Sequence, residues 1–251
     1  MVGLFVSGQE KESEKEHKRK SGEAVYDSIS DRVLLRREFA GGVILHSRGW
    51  GFQFRKGKNL SYFKSLQWEI NVVSLKSPKQ IRTLNPYFNN AKSYVYGKLN
   101  HVYILRAGIG IKRLLNRKPY WGGIELRFIY FGGFSLAIAK PVYLYVLNFT
   151  PENEEYTINI EKYNPKIHGL DNIYGRAPFT HGIGNTSLHP GLYVKLGLNF
   201  EFGNYNSSIK AVEAGATLDY YPIPVSIMAL NPEQSFFLTF YIGFSFGKRY
   251  D

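Results

Sequence analysis

Residues 192–202 read LYVKLGLNFEF, and every second position is leucine, valine or phenylalanine. The intervening positions hold a mixed set that includes Lys195, Gly197, Asn199 and Glu201. Side chains along a β-strand point alternately to opposite faces, so a period of two residues predicts a strand with one apolar face and one polar face. The segment also matches a tilted strand that crosses a bilayer, which needs roughly 9 to 11 residues.

The same period recurs along most of the chain. In residues 64–72 it is as strict as in 192–202, and in 236–246 phenylalanine, leucine and isoleucine occupy every second position. Weaker versions lie at residues 37–47, 49–56, 101–113, 122–147 and 207–221. The pattern therefore predicts eight strands and no long helix. The segment 122–147 is long for one strand, so we interpret it as a strand running on into a loop, or as hiding a second strand.

The length and composition exclude several classes of protein. The chain has 251 residues, no cysteine and a formal net charge of +12. The length fits one sizeable domain, and the lack of cysteine excludes a disulfide framework, thiol catalysis and cysteine-ligated metal sites. No apolar run reaches the roughly 18 residues of a transmembrane helix. The basic excess suggests a polyanionic partner, but no nucleic-acid-binding module is recognisable, so we expect no nucleic acid.

The polar faces of the predicted strands decide between two kinds of barrel. They collect six acidic residues and five basic ones: Glu38, Glu69, Glu125, Glu201, Glu213 and Asp219 with Arg55, Arg106, Lys112, Arg127 and Lys195. They also carry many glycines, which would weaken an exposed soluble surface but leave room in a crowded lumen. We therefore predict an all-β fold, an eight-stranded antiparallel transmembrane β-barrel with apolar residues toward lipid. Its predicted lumenal charge network comprises Glu69, Arg106, Glu125, Arg127, Lys195, Glu201 and Glu213. A soluble eight-stranded binding barrel is the alternative fold.

The connections divide the chain. Short ones are predicted near 57–60, 114–119 and 203–207, and long ones near 77–97, 148–190 and 222–234. Outer-membrane barrels alternate short periplasmic turns with longer extracellular loops. We expect residues 1–9 to be a signal-peptide remnant, 10–35 a disordered, charged periplasmic tail, and 36–251 the barrel.

Much of the positive charge lies in one window, because no acidic residue occurs between Glu69 and Glu125. Four cations in the first long loop, Lys76, Lys79, Arg82 and Lys92, are predicted to contact lipopolysaccharide phosphates or a protein partner. Four more surround a predicted short turn and are predicted to contact a periplasmic partner: Lys112, Arg113, Arg117 and Lys118.

Five segments together suggest a family: residues 49–56, 189–203, 212–216, 222–228 and 244–250. They resemble small outer-membrane β-barrels of the Bacteroidetes. The resemblance implies a bacterial outer-membrane location and a non-enzymatic accessory role in an envelope complex for protein secretion or Bam-type barrel assembly. It implies membrane lipid, lipopolysaccharide and other envelope proteins as partners, and no catalytic residues.

An enzymatic alternative comes from the long third loop, where His181, Ser187 and His189 lie close in sequence. Some outer-membrane lipid A deacylases combine histidine and serine on an eight-stranded barrel. The spacing between His181 and Ser187 does not match their motif, so an enzyme that modifies lipid A or phospholipid is the alternative function. The sequence predicts no cofactor and no metal site.

Overall fold

The fold is described from a computed structural model of the full chain. The structure describes residues 35–61, 63–88, 91–117, 123–150, 155–202 and 207–251. The predicted signal remnant 1–9 and the tail as far as residue 34 lie outside these ranges. The described residues contain no helix that is long and apolar enough to cross a membrane.

Eight long strands form one closed antiparallel ring. They are β1 (Arg37–His46), β2 (Gly49–Ser61), β3 (Lys64–Leu75), β6 (Asn100–Asn116), β7 (Glu125–Pro141), β11 (Ser187–Phe202), β12 (Ser208–Val225) and β13 (Gln234–Tyr250). Each pairs with the next in this order, and β1 pairs with β13 to close the ring. At this seam Arg37 lies opposite Tyr250, and His46 lies opposite Tyr241. The predicted eight-stranded antiparallel β-barrel is confirmed.

The alternation places apolar side chains outside and polar ones inside. In β3, Trp68 is 60% exposed, whereas its neighbour Glu69 is 0% exposed. The same pattern holds in β11, where Leu192 and Val194 are exposed while Tyr193 and Lys195 are buried. The barrel is therefore inverted relative to a soluble protein, with an apolar belt around a charged lumen.

The shorter and the longer connections lie mostly at opposite ends of the barrel. At the end that holds Arg37 and Tyr250, here called the lower end, β2 joins β3, β6 joins β7 and β11 joins β12 through the shorter connections 62–63, 117–124 and 203–207. The upper end has the tight turn 47–48 and the long connections 76–99, 142–186 and 226–233. The turn predicted near 57–60 is wrong, because Gly57 and Asn59 continue the pairing of β2 with β3.

Smaller strands fold the long connections into a structured upper region. These are β4 (Arg82–Thr83), β5 (Tyr94–Val95), β8 (Tyr143–Thr150), β9 (Glu155–Lys162) and β10 (Ile173–Arg176). The β4–β5 pair is separate, whereas β8 lies between β10 and β9 in a three-stranded sheet. The segment 122–147 thus contains β7 and the start of a second strand, β8.

Two apolar clusters hold the upper region in place. One joins the upper lumen to the connection before β13 and includes Ile104, Tyr221, Phe237, Ile227 and Met228. The other fixes the three-stranded sheet and includes Tyr94, Leu144, Val146, Tyr163 and Ile173. A bridge between Lys98 and Met228 ties two of the long connections to each other.

Candidate functional site

Four charged side chains form the centre of the lumen. Arg55 Nε donates to Glu69 Oε2 at 2.7 Å, and Arg55 Nη2 donates to Glu213 Oε1 at 2.8 Å. Lys195 Nζ lies 3.0 Å from Glu69 Oε2 and 3.3 Å from Glu213 Oε1. Tyr241 donates its hydroxyl to Glu213 at 2.7 Å. Two carboxylates and two cations therefore neutralise one another in a fully buried cluster, which is the condition for burying charge without a large penalty.

Further ion pairs lie above and below this cluster. Above it, Arg106 binds Asp219 through two hydrogen bonds of 2.8 Å and 2.7 Å. Below it, Glu201 pairs with Lys112 at 3.3 Å and with Arg249 at 2.6 Å. Arg249 also pairs with Glu38, and Arg127 pairs with Glu125. The structure thus places all seven predicted network residues in the lumen, spread over several clusters.

Arg249 is the lumenal charge that sequence reasoning missed. The alternation in residues 236–246 puts odd-numbered positions on the polar face, and Arg249 keeps that parity. Extending the strand to Tyr250, where β13 ends, would have found it. With Arg249 the ion pairs of the lumen join six acidic and six basic side chains among the described residues: Glu38, Glu69, Glu125, Glu201, Glu213 and Asp219 with Arg55, Arg106, Lys112, Arg127, Lys195 and Arg249.

Large side chains and small neighbours fill the remaining lumenal space. A Cβ atom at Gly197 would lie 2.6 Å from the Tyr241 hydroxyl, and one at Gly108 would lie 2.5 Å from the Tyr193 hydroxyl. A Cβ atom at either position would force its neighbours to shift, so the close packing favours glycine there. At the lower end a cavity of only about 20 Å³ is left beside Glu38 and Arg55. The lumen is packed with side chains, as expected for a barrel of eight strands.

A second feature is a much larger cavity of about 670 Å³ in the upper region, here called the basic pocket. Six cationic side chains line it: Lys76, Arg82, Lys92, Lys98, Lys140 and Arg176. They come from three places in the chain, namely the 76–99 connection, which includes β4, and the ends of β7 and β10. The described lining residues include no aspartate or glutamate.

Two of these lysines are buried. Lys98 and Lys140 are each 6% exposed, and neither forms a salt bridge with a described residue. Lys98 Nζ donates to Gln80 Oε1 at 3.2 Å, and Lys140 Nζ lies 4.1 Å from the centre of the Phe179 ring. Burial, with smaller contributions from Lys76 and Arg82, lowers the pKa of Lys98 to about 8.

The first predicted contact set is largely brought together. Lys76, Arg82 and Lys92 line the basic pocket, whereas Lys79 is exposed and is absent from its lining. Sequence reasoning missed Lys98, Lys140 and Arg176. Lys98 could have been predicted, because it lies in the sequence window without acidic residues. Lys140 and Arg176 lie outside this window and join the pocket only through the fold.

The second predicted set is partly wrong. Lys112 is 3% exposed and pairs with Glu201 inside the lumen, so it is unavailable to a periplasmic partner. Lys112 occupies an even-numbered position of β6, and the even-numbered side chains of this strand point into the lumen. Arg113 is exposed, Arg117 lies 4.7 Å over the Phe63 ring, and Lys118 lies outside the described residues.

The histidine and serine of the third connection pair differently from the sequence expectation. Ser187 Oγ lies 3.2 Å from His189 Nε2, and His189 Nδ1 lies 3.3 Å from the Ile223 carbonyl oxygen. The histidine that contacts Ser187 is thus His189, whereas the sequence expectation paired Ser187 with His181. Among the described residues no group of three or more histidine, aspartate or glutamate side chains could hold a metal ion.

Comparisons with known proteins give distant structural similarity only. No family model matches the chain, and no curated protein matches it. Neisserial surface protein A (NspA) is 7% identical, with a TM-score of 0.40 over 85% of this chain and 95% of that one. Ail, the attachment invasion locus protein of Yersinia pestis, is 7% identical, with a TM-score of 0.40 over 86% of this chain and 100% of that one. The fold of this protein accordingly follows from its own strand pairing, a closed antiparallel ring of eight strands.

Proposed function

We propose that this protein is an integral β-barrel of a bacterial outer membrane. The supporting observation is the inverted surface, because exposed apolar side chains surround the ring on every strand. Examples from different strands are Phe54, Ile70, Leu196, Leu218 and Phe240, each between 43% and 63% exposed. Soluble monomers rarely expose contiguous apolar patches beyond a few hundred Å². A closed barrel also satisfies every backbone hydrogen bond that lipid cannot.

The inverted surface also speaks against the soluble binding barrel. A soluble barrel buries its apolar face and holds a ligand in an apolar interior, whereas this lumen holds paired charges. In the membrane orientation, the lower end with its short turns faces the periplasm and the upper region faces outward.

Within this location we propose a non-enzymatic accessory role in an outer-membrane complex for protein assembly or secretion. The packed, charge-balanced lumen carries this proposal, because a barrel without an open pore acts through its surfaces. The resemblance to Bacteroidetes barrels points the same way. At the lower end, Arg113, Arg117 and Lys118 are the proposed contact for a periplasmic partner.

A pull-down tests the accessory role. The tagged full chain is extracted from membranes in mild detergent, and co-purified proteins are quantified by mass spectrometry. We expect a stoichiometric envelope partner, which Arg113→Ser combined with Arg117→Ser depletes because both cations are removed. Lys79→Ser is the matched control, since it removes an exposed cation at the opposite end. Recovery of a monomer alone, from wild type and control, overturns the accessory role.

A lipid-modifying enzyme is the second candidate function, favoured by the Ser187–His189 contact. A nucleophilic serine needs a base within hydrogen-bond reach and a third group that orients the base. The Ile223 carbonyl oxygen faces the other ring nitrogen of His189 and supplies that orientation. Ser187→Ala and His189→Ala, compared by mass spectrometry of membrane lipids, test this candidate. A lipid profile identical to wild type in both variants removes it.

A further inference from the structure

The basic pocket has more positive charge than its surroundings balance. Its six cations and no described acidic lining residue contrast with the lumen, where every described cation has a carboxylate partner. A buried ammonium group without a counter-charge is unfavourable, and Lys98 and Lys140 are both in that position. The pocket therefore has the composition of a site whose counter-charge comes from a ligand.

Two uncharged groups in the pocket also lack partners. Gln80 Nε2 and the Tyr94 hydroxyl are buried with no hydrogen-bond partner. Since Lys98 donates to Gln80 Oε1, the amide must direct its NH₂ group elsewhere, as a donor. Tyr94 is 3% exposed, so bulk water does not satisfy its hydroxyl. Both residues line the cavity, and an amide NH₂ and a phenol hydroxyl are both hydrogen-bond donors.

The walls of the pocket indicate the rest of the ligand. Phe179 and Tyr143 contribute aromatic surface, and Val142 and Pro178 contribute apolar surface. About 670 Å³ lies within the range of small-molecule sites, which is roughly 300 to 1,000 Å³. A bare phosphate ion would fill a small part of this space and would balance only a minority of the six cations.

We propose that the basic pocket binds a sugar that carries two phosphate groups. Arginine and lysine are the usual partners of phosphate, Arg82 and Arg176 by paired hydrogen bonds and the lysines as point charges. Each phosphate monoester carries about −1.5 to −2 charges at neutral pH, so two of them carry about −3 to −4 and balance half to two thirds of the six cations. The sugar ring lies against the aromatic and apolar walls.

The position of the pocket bears on the source of this ligand. His101 and Lys140 lie opposite each other in the pairing of β6 with β7. Both residues line the pocket. His101 lies an even number of residues from Leu105 in β6, as Lys140 does from Phe134 in β7, so each is on the outward face of its strand, to which the apolar belt also belongs. The pocket therefore lies against the outer side of the barrel, above the belt. If the protein spans a membrane as proposed, this is the level of the lipid headgroups, and a glycolipid with two phosphates could enter sideways.

Calorimetric titration of the purified full chain in zwitterionic detergent tests the proposal. The probes are glucose 1,6-bisphosphate, glucose 6-phosphate and a hexaglutamate peptide. We expect one bisphosphate per chain, bound about tenfold or more tightly than the monophosphate, because a charged hydrogen bond contributes about 1.5 to 3 kcal/mol. Equal affinity for the two sugars, no saturable binding, or tighter binding of the peptide overturns the proposal.

Variants locate the site. Lys98→Met and Arg176→Gln should each weaken bisphosphate binding about tenfold, since each removes one charged contact. Lys79→Met is the control, because this lysine is exposed in the same connection but does not line the pocket. Arg176 is exposed, so its replacement leaves the fold intact even where the buried Lys98 variant does not. Unchanged affinity in the Arg176 variant contradicts the assignment.

A competition experiment distinguishes the sources. Diphosphoryl lipid A in nanodiscs that hold the protein should displace glucose 1,6-bisphosphate, whereas monophosphoryl lipid A should not. Displacement supports a membrane glycolipid, and its absence together with retained sugar binding supports a soluble sugar bisphosphate. Because sugar binding is measured in detergent, it succeeds or fails independently of the proposed role in an envelope complex.

Discussion

Replacing Glu213 with glutamine tests whether charge balance stabilises the barrel. Glu213 accepts hydrogen bonds from Arg55 and Tyr241 and lies 3.3 Å from Lys195 Nζ. The central cluster holds two carboxylates and two cations, so the substitution changes its net charge from zero to +1. The side chain keeps nearly its shape, and the perturbation is therefore almost purely electrostatic.

The expected cost follows from burial. Removing one partner of a buried ion pair costs about 3 to 5 kcal/mol, because the remaining charge stays desolvated. With a urea dependence of about 2 kcal/mol per molar, the unfolding midpoint should fall by about 1.5 to 2.5 M. Combining Glu213→Gln with Lys195→Met restores a net charge of zero, so the double variant should be more stable than the sum of the single effects.

Urea unfolding in lipid vesicles, followed by tryptophan fluorescence and heat-modifiable gel mobility, measures these midpoints. Asp171→Asn is the control, because Asp171 is an exposed acid in the upper region and its neutralisation should change stability by no more than about 0.5 kcal/mol. A Glu213→Gln midpoint equal to that of the control refutes the reasoning. Strict additivity in the double variant refutes the charge-balance part of it.

Three further predictions concern packing, lipid contact and pH. Gly197→Ala should destabilise the barrel by about 1 to 3 kcal/mol, since its Cβ would meet the Tyr241 hydroxyl, and Tyr241→Phe should relieve part of this loss in the same urea assay. Ile70→Arg, on the apolar belt midway along β3, should cost about 2 to 4 kcal/mol in vesicles, whereas Leu230→Arg, in an upper connection, should cost almost nothing; equal effects would argue against a lipid-facing belt. Burial lowers the pKa of Lys98 to about 8, so its charge is present at pH 7 and lost by pH 9.5; affinity for glucose 1,6-bisphosphate should fall more steeply over that range in wild type than in Lys98→Met.

Strict alternation made the barrel predictable from sequence. Trp68 and Glu69, for example, are adjacent in sequence but lie on opposite faces of β3. The period of two therefore identifies the outward-facing and the lumenal side chains of each strand. The upper sheet was not predictable in this way. Residues 143–149 read YLYVLNF, so nearly every position is apolar or aromatic and the period of two is hidden. In the structure one face of β8 packs on Tyr94 and Tyr163, and the other is partly exposed.

The two candidate sites also differ in how far they could be predicted from the sequence. The lumenal charges follow from strand parity, which also explains why assigning Lys112 to a partner surface was wrong. The basic pocket depends on where loops fold, and a period of two carries no information about that. Only Lys76, Arg82 and Lys92, which share one connection, were found from the charge pattern, whereas Lys140 and Arg176 come from strands that the fold brings alongside.

The seam between β1 and β13 has a consequence for how the protein is made. Glu38, near the start of β1, pairs with Arg249, near the end of β13. Arg249 also pairs with Glu201, so a nascent chain that still lacks the end of β13 has two lumenal carboxylates without this guanidinium. Contacts between distant parts of a sequence form late, because their loop-closure entropy is lost before they stabilise the fold. The end of β13 therefore serves both the seam and the lower lumen, and a chain that lacks it would have fewer seam pairs and an unbalanced charge in the lower lumen.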